Sequence, residues 1–256
     1  MKRYTDMIDE LSVKNLVEQE YDFGIIKRKK GKNIVVNAPN IEIYGEKISA
    51  RIIEILSEEL IKNYQIRKYK NICVVGLGNR EILSDALGPK VLQKLLVSRG
   101  LDIQPQLCVI YPNVYAQTGI ESADFVLSIC DKVKPDLVIF IDAFATNSIE
   151  RLGASFQITS EGIRAGSAKS GRNKKITKEK LKADTITIGV PMLIYAEQIL
   201  SSKIKEKISK HKISDLILTP CDVRKNLNLI SDIVAQTINS SIFPQYSKEE
   251  IQLLLT

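Results

Sequence analysis

Two aspartates are the residues in this sequence best suited to chemistry. Asp85 follows the glycine turn of "VVGLGNREILSDALGP", and Asp142 closes the apolar run "LVIFID". An acid at the end of so apolar a stretch needs a reason, because a buried carboxylate is costly unless it is paired, hydrogen-bonded or protonated. Two acids brought together can share one proton. The ionised one then activates water, while the protonated one donates to a substrate carbonyl. That is hydrolytic machinery with neither metal nor histidine. Taken singly, each acid has a plainer explanation: Asp85 as a helix N-cap, Asp142 as a turn residue.

Other chemistries fit less well. A dinucleotide-binding turn places a third glycine where this chain has Glu81, and no Gly-Lys-Ser/Thr follows to make a phosphate-binding loop. The single histidine, His211, lies in the lysine-rich "KISKHKISD" and is expected at an exposed helix end, which leaves no histidine triad or multi-histidine metal site. Cys73, Cys108, Cys130 and Cys221 form no CxxC pair, and three of them sit in or beside apolar runs. No metal or other cofactor is expected.

The acids need a scaffold, and the pattern supplies an α/β one. "NICVVGLG" reads as a buried parallel strand, "DALGPKVLQKLLVSRG" as a helix closing at Gly100, and "PQLCVIYP" as a strand. "ESADFVLSICDKV" reads as a helix and "PDLVIFIDAFA" as a long strand ending on the second acid. "SFQIT", "TITIGVP" and "LILTP" are further strands, and "CDVRKNLNLISDIVAQTINSSI" a late helix. Upstream, "IVVNAPNIEI" reads as extended with a turn at Pro39-Asn40, before the helical "ISARIIEILSEELIKNY". Alternating strands and helices predict a mostly parallel sheet flanked by helices. Ligands of such sheets gather beyond the carboxyl ends of the strands, where both acids fall.

The chain has 256 residues and a net charge of +7. Much of the excess lies in "KRKKGK" (27–32), "KSGRNKKITKEKLK" (169–182) and "KIKEKISKHK" (203–212). These read as solvated faces or loops, since no aromatic interleaving accompanies them, and direct nucleic-acid binding is not expected. The N-terminal stretch is charged throughout and no run is long enough to span a membrane, so a reducing cytoplasm is the expected location. The Gly-, Ser- and Lys-rich residues 159–175 are expected to form a flexible surface loop.

The ordered set "GLGNREILSDALGP", "YAQTGIESADFV", "KPDLVIFIDAFATNSIERLGASFQIT", "GIRAGS", "TITIGVP" and "LILTPCDV" resembles the spore germination protease family. The "GLGN" opening also looks like that of hydrogenase-maturation proteases, which implies their α/β fold. The likeness covers nearly the whole chain, with "RYTDMIDE" similar to the family's mature N-terminal segment and residues 1–66 a divergent portion of one domain spanning 1–256. It implies an atypical aspartic endopeptidase that degrades small acid-soluble spore proteins in the forespore or spore core during germination. Asp85 and Asp142 correspond to the family's essential aspartates. Gly76, Gly78 and Asn79 are expected to shape the turn beneath the site, and Gln117, Thr118 and Gly119 a loop beside it.

The family also implies a homotetramer and a precursor with a short propeptide. This chain starts close to the mature segment, so loss of self-cleavage control is an expectation. Arg164 replaces a usual histidine, and Met192 and Tyr195 replace a threonine and an aspartate. One alternative is a noncatalytic spore protein of the same fold that binds acid-soluble proteins or their DNA complexes. Another is a metal-dependent maturation protease, disfavoured because Ala86 stands where that site uses a carboxylate.

Overall fold

The computed structural model describes residues 6–7, 17–30, 32–165, 174–197, 199 and 216–255. Four parallel strands make the centre of the sheet: β4 (Asn71–Gly76), β5 (Gln106–Ile110), β6 (Leu137–Ala145) and β10 (Asp184–Tyr195). They lie in the order β10-β6-β4-β5, each neighbouring pair parallel. β6 and β10 are buried on both faces through most of their length, which is why they read as unbroken apolar runs rather than alternating ones.

An antiparallel extension lies beyond β10, which the alternation of strands and helices does not announce. It comprises β1 (Val17–Glu20), β2 (Ile26–Lys30), β3 (Asn33–Asn37) and β7 (Ser155–Thr159), and the sheet runs β1-β2-β3-β7-β10. The basic patch at 27–32 is therefore largely the strand β2, with Lys27 and Lys29 both paired to Glu59 on the helix Ile41–Lys62. β11 (Ile217–Leu218) pairs antiparallel with the end of β10.

Helices cover both faces. On one, α1 (Ile41–Lys62), α2 (Leu87–Leu92) and α6 (Val223–Ile242) pack Ile52, Leu56, Val91, Ile230 and Val234 against Ile34, Val74, Ile139, Ile141 and Ile188. On the other, α4 (Ser122–Val133) lays Ala123, Val126 and Cys130 over Cys73, Val75, Val138 and Phe140. Cys73 and Cys130 are buried there, Cys108 is half-buried, and Cys221 is exposed.

Two sequence expectations need correcting. "IEI" (41–43) is not extended, because the Ile43 and Tyr44 N–H groups bond the Asn40 carbonyl and open α1, which then breaks at Gly45. The helix expected to run to Gly100 stops at Leu92. Buried Asn239 of α6 donates to the Lys94 carbonyl at 2.9 Å and accepts from the Leu96 N–H at 3.1 Å. These bonds take the backbone groups that helix continuation would use, so a tertiary partner overrides local propensity.

The expected loop at 159–175 begins at the end of β7. Its flanks pair as a small antiparallel sheet, β8 (Ile163–Ala165) with β9 (Lys174–Ile176), and 166–173 lie outside the described residues, as do His211 and the 203–212 patch. No described helix is long and apolar enough to cross a membrane.

Candidate active site

β4 lies between β6 and β5, so the chain leaves β4 at the point where strand order reverses. Ligands of open α/β sheets collect in this crevice. The Leu77 N–H extends the pairing by bonding the Ile141 carbonyl at 2.9 Å, which ties the turn after β4 to the residue before Asp142.

Glycines let the elements close here. A Cβ on Gly76 would come within 2.6 Å of the Gly88 backbone, and one on Gly88 within 2.3 Å of the Leu77 carbonyl, so α2 crosses the end of β4 backbone to backbone. Gly78 has φ +106°, and its missing Cβ would lie 1.9 Å from the Asp85 carbonyl oxygen and 3.0 Å from the carboxylate Oδ1. Asp85 thus sits directly on Gly78, a position only glycine fits.

Asp85 ends a 3₁₀ turn, Leu83–Asp85. It does not cap α2, whose N-cap is Ala86 with no side-chain cap bond. Its Oδ2 instead accepts the Asn79 N–H at 2.8 Å. The Asn79 side-chain oxygen takes the Glu81 N–H at 3.0 Å and Nε2 of Gln117 at 3.4 Å. Gln117 therefore reaches the acid through Asn79. Thr118 and Gly119 stay at one remove: the Thr118 hydroxyl lies within hydrogen-bond reach of the Val114 and Ile120 carbonyls and accepts the Ile120 N–H, and Gly119 closes the helical turn α3 (Tyr115–Thr118) in a left-handed conformation, φ 71°.

Asp142 occupies β6 in register with Gly189 of β10. The Phe144 ring, on the same face two residues on, fills the space above Gly189, where a Cβ would come within 2.1 Å of it. Asp142 Oδ1 accepts its neighbour's Ala143 N–H at 2.9 Å. Both acids are half-buried.

Their proton affinities rise together. Burial pushes the Asp85 carboxyl up to about 6, against the opposing pull of the Asn79 N–H. Burial also holds Asp142 well above the ordinary carboxylate range, reinforced by the charges of Asp85 and Asp6. Both carboxyls thus hold their protons to a higher pH than free carboxylates do.

Two groups that residue patterns did not assign a role also face the pair. Asp6 lies beside the end of β6: its N–H donates to the Ala145 carbonyl, and its Oδ2 accepts the Ala145 N–H, each at 2.9 Å. Tyr195 closes β10, half-buried, its hydroxyl held up by burial and by the charges of Asp6 and Asp85. Only its departure from the family pattern marks it in the sequence. A bulge precedes it: Pro191 opposes Phe144 and Leu193 opposes Ala145, so Met192 is an extra residue, buried in the core, that re-aims the end of the strand. Arg164 lies in β8 opposite Lys175. An open cleft of about 290 Å³ lies behind the Asp85 turn, lined by Arg80, Leu83, Lys90, Arg224 and their neighbours; neither acid lines it.

Comparison with known proteins agrees with the sequence likeness. The chain is 35% identical to the germination protease of Geobacillus sp. (strain WCH70) over 216 residues, 80% of this chain but 58% of that protein, so the match spans little more than half of that relative's length. It is 31% identical to the germination protease of Caldanaerobacter subterraneus subsp. tengcongensis over 241 residues, 88% of this chain and 74% of that one. Among solved structures, a [NiFe] hydrogenase maturation protease, HycI from Thermococcus kodakarensis KOD1, aligns with 72% of this chain and 99% of that chain at 18% identity and TM-score 0.40. The profile of the germination protease family matches residues 2–213, and the chain belongs to that family.

Proposed function

We propose that this protein is an atypical aspartic endopeptidase that initiates degradation of small acid-soluble spore proteins during germination. Asp85 and Asp142 are its catalytic acids, and Gly76, Gly78, Asn79, Gln117, Thr118 and Gly119 form the surrounding turn and loop. The observation that carries this reading is the pair itself: two half-buried carboxylates, Asp85 in the turn after β4 and Asp142 within the adjacent parallel strand β6, both raised, with the Asp85 charge acting on Asp142.

Asp142, its carboxyl raised by burial and by the Asp85 and Asp6 charges, holds the proton and hydrogen-bonds the scissile carbonyl oxygen through it. Asp85 is the ionised partner and takes a proton from the attacking water. As the water oxygen bonds the carbonyl carbon, Asp142 passes its proton to the carbonyl oxygen and a tetrahedral gem-diol forms. The C–N bond then breaks, the leaving amine takes the proton from Asp85, and Asp142 recovers its own. Activity needs the singly protonated pair. It falls on the acid side when both carboxyls are protonated and on the alkaline side when both are ionised, and the two apparent pKa values belong to the pair.

Family likeness extends the reading to a homotetramer in the spore core and to a single domain over 1–256. The β3–β7 pairing, which joins the divergent N-terminal portion to the main sheet, supports the latter. The deciding experiment incubates the purified protein with a small acid-soluble spore protein and maps fragments by mass spectrometry, with Asp85→Asn and Asp142→Asn in parallel. Discrete cleavage absent from both variants is the expected result; cleavage surviving in both overturns the acid pair.

A further inference from the structure

Among the described residues of the N-terminal segment, Asp6 meets the strand that carries Asp142. Asp6 grips both backbone groups of Ala145, donating through its N–H and accepting at Oδ2, each bond 2.9 Å long. Gln157 of β7 steadies it by donating from Nε2 to the Asp6 carbonyl at 3.2 Å. The next residue, Met7, is fully buried between Val35 and Phe144, and Phe144 shares its face of β6 with Asp142. A third carboxylate is thereby fixed three residues along the same strand from Asp142, by contacts that leave it exposed to solvent.

We propose that Asp6 is a positioning residue of the acid pair: its negative charge, clamped on Ala145, acts through Asp142 to keep the shared proton on the pair. This rests on the catalytic reading of Asp85 and Asp142. Among the described residues, the titratable groups that face Asp142 are Asp85 from the turn after β4 and Asp6 from the N-terminal segment, while Tyr195, at the end of β10, faces Asp6 and Asp85. A like charge disfavours ionisation of its neighbour. Asp6 therefore extends the range over which Asp142 stays protonated, and widens the alkaline side of the activity profile. The antiparallel half of the sheet gains a role in the chemistry, because β3 and β7 supply the Val35 and Gln157 contacts that seat the segment.

Asp6→Asn separates charge from contact. An amide oxygen still accepts the Ala145 N–H and the backbone bond remains, so docking persists while the charge is gone. We expect the alkaline limb of kcat/KM against pH to move down by about 0.5–1 unit in Asp6→Asn, with the acid-side plateau rate within about twofold of wild type. A second readout does not depend on turnover: carboxyl carbon NMR of aspartate-labelled protein, titrating Asp142 in both forms, should show the same downward shift. An unchanged Asp142 titration in a folded Asp6→Asn protein overturns the proposal. So does a uniform loss of rate at all pH values with no shift of the limb, which marks a structural contact alone. Full cleavage by Asp85→Asn and Asp142→Asn overturns the catalytic reading instead, and the NMR titration still decides whether Asp6 holds the Asp142 proton.

Discussion

The parallel strands and the N-terminal segment hold their acids in opposite ways. In the parallel half, Asp85 and Asp142 are set by backbone packed too closely for any side chain: Gly76 on Gly88, Gly78 under Asp85, Gly189 beneath Phe144. The N-terminal segment instead seats Asp6 at the end of β6 through hydrogen bonds with Ala145 and from Gln157, with Met7 buried beside it. The first arrangement is rigid by steric necessity. The second is a docking that a few kcal/mol could undo, since each such hydrogen bond contributes about 0.5–1.5 kcal/mol net. Preorganised groups that handle protons belong on the rigid side, and a group that tunes them through its charge tolerates the looser one.

The largest effect tests the rigid half directly. Replacing either acid by its amide, Asp85→Asn or Asp142→Asn, is expected to lower kcat/KM by about 10²–10⁴-fold with the fold intact, read by fragment mapping and circular dichroism. A loss confined to one acid would break the symmetry assumed for the pair. Next comes Gly78→Ala, whose Cβ meets the Asp85 carbonyl at 1.9 Å and whose φ is +106°. It should cost about 2–4 kcal/mol in urea unfolding and abolish cleavage together with it. A stable, active Gly78→Ala protein would show that the turn under Asp85 yields.

Asn239→Ala probes packing away from both acids. It leaves the Leu96 N–H and Lys94 carbonyl without their buried partner and is expected to cost about 2 kcal/mol in urea unfolding, with kcat/KM within about twofold of wild type. A comparable loss of rate would mean that α6 supports the site more tightly than the strand ends alone.

The pH dependence of stability sharpens the contrast further. The folded pKa of Asp85 lies above its ordinary value of 3.8, so its contribution is fully present below that value and is lost as pH rises through about 6. Asp85→Asn should therefore unfold like wild type near pH 4 and be more stable by about 1 kcal/mol at pH 8, partial exposure reducing the full effect. Melting curves at the two pH values read the difference, and equal curves at pH 8 would mean that the acid is not strained by burial. The smallest effect is expected at Gln117→Ala, which removes one long, exposed hydrogen bond to Asn79: about a twofold fall in kcat/KM. A fall of a hundredfold would place Gln117 in contact with substrate.

Much of the parallel half is legible in the residues. The apolar runs ending in "GLG" and "FID" carry their own strand signal, and two acids at such ends point to one crevice. Local propensity misleads elsewhere. "KVLQKLLVSRG" looks helical throughout, yet Asn239, far away in sequence, takes the backbone of Lys94 and Leu96. The strand β2 is hidden for a related reason: "IKRKK" has no apolar alternation, and its lysines are satisfied by Glu59 from a helix. A helix cap at Asp85 is a sound reading of its position, but Gly78 and the Asn79 N–H draw the carboxylate away from α2.

Residue order is enough for the strand–helix alternation, the glycine turn, the two acids and the family. These rest on local patterns, because hydrophobic period and glycine placement act over a few residues. Three features emerge only when the chain is folded: Asp85 leaves its helix uncapped, a bulge at Met192 re-aims β10 ahead of Tyr195, and Asp6 returns to the end of β6. The last two depend on partners distant in the chain and the first on a tight glycine turn, and the Coulomb and hydrogen-bond terms that bind such groups depend on distance in space, which residue order does not contain.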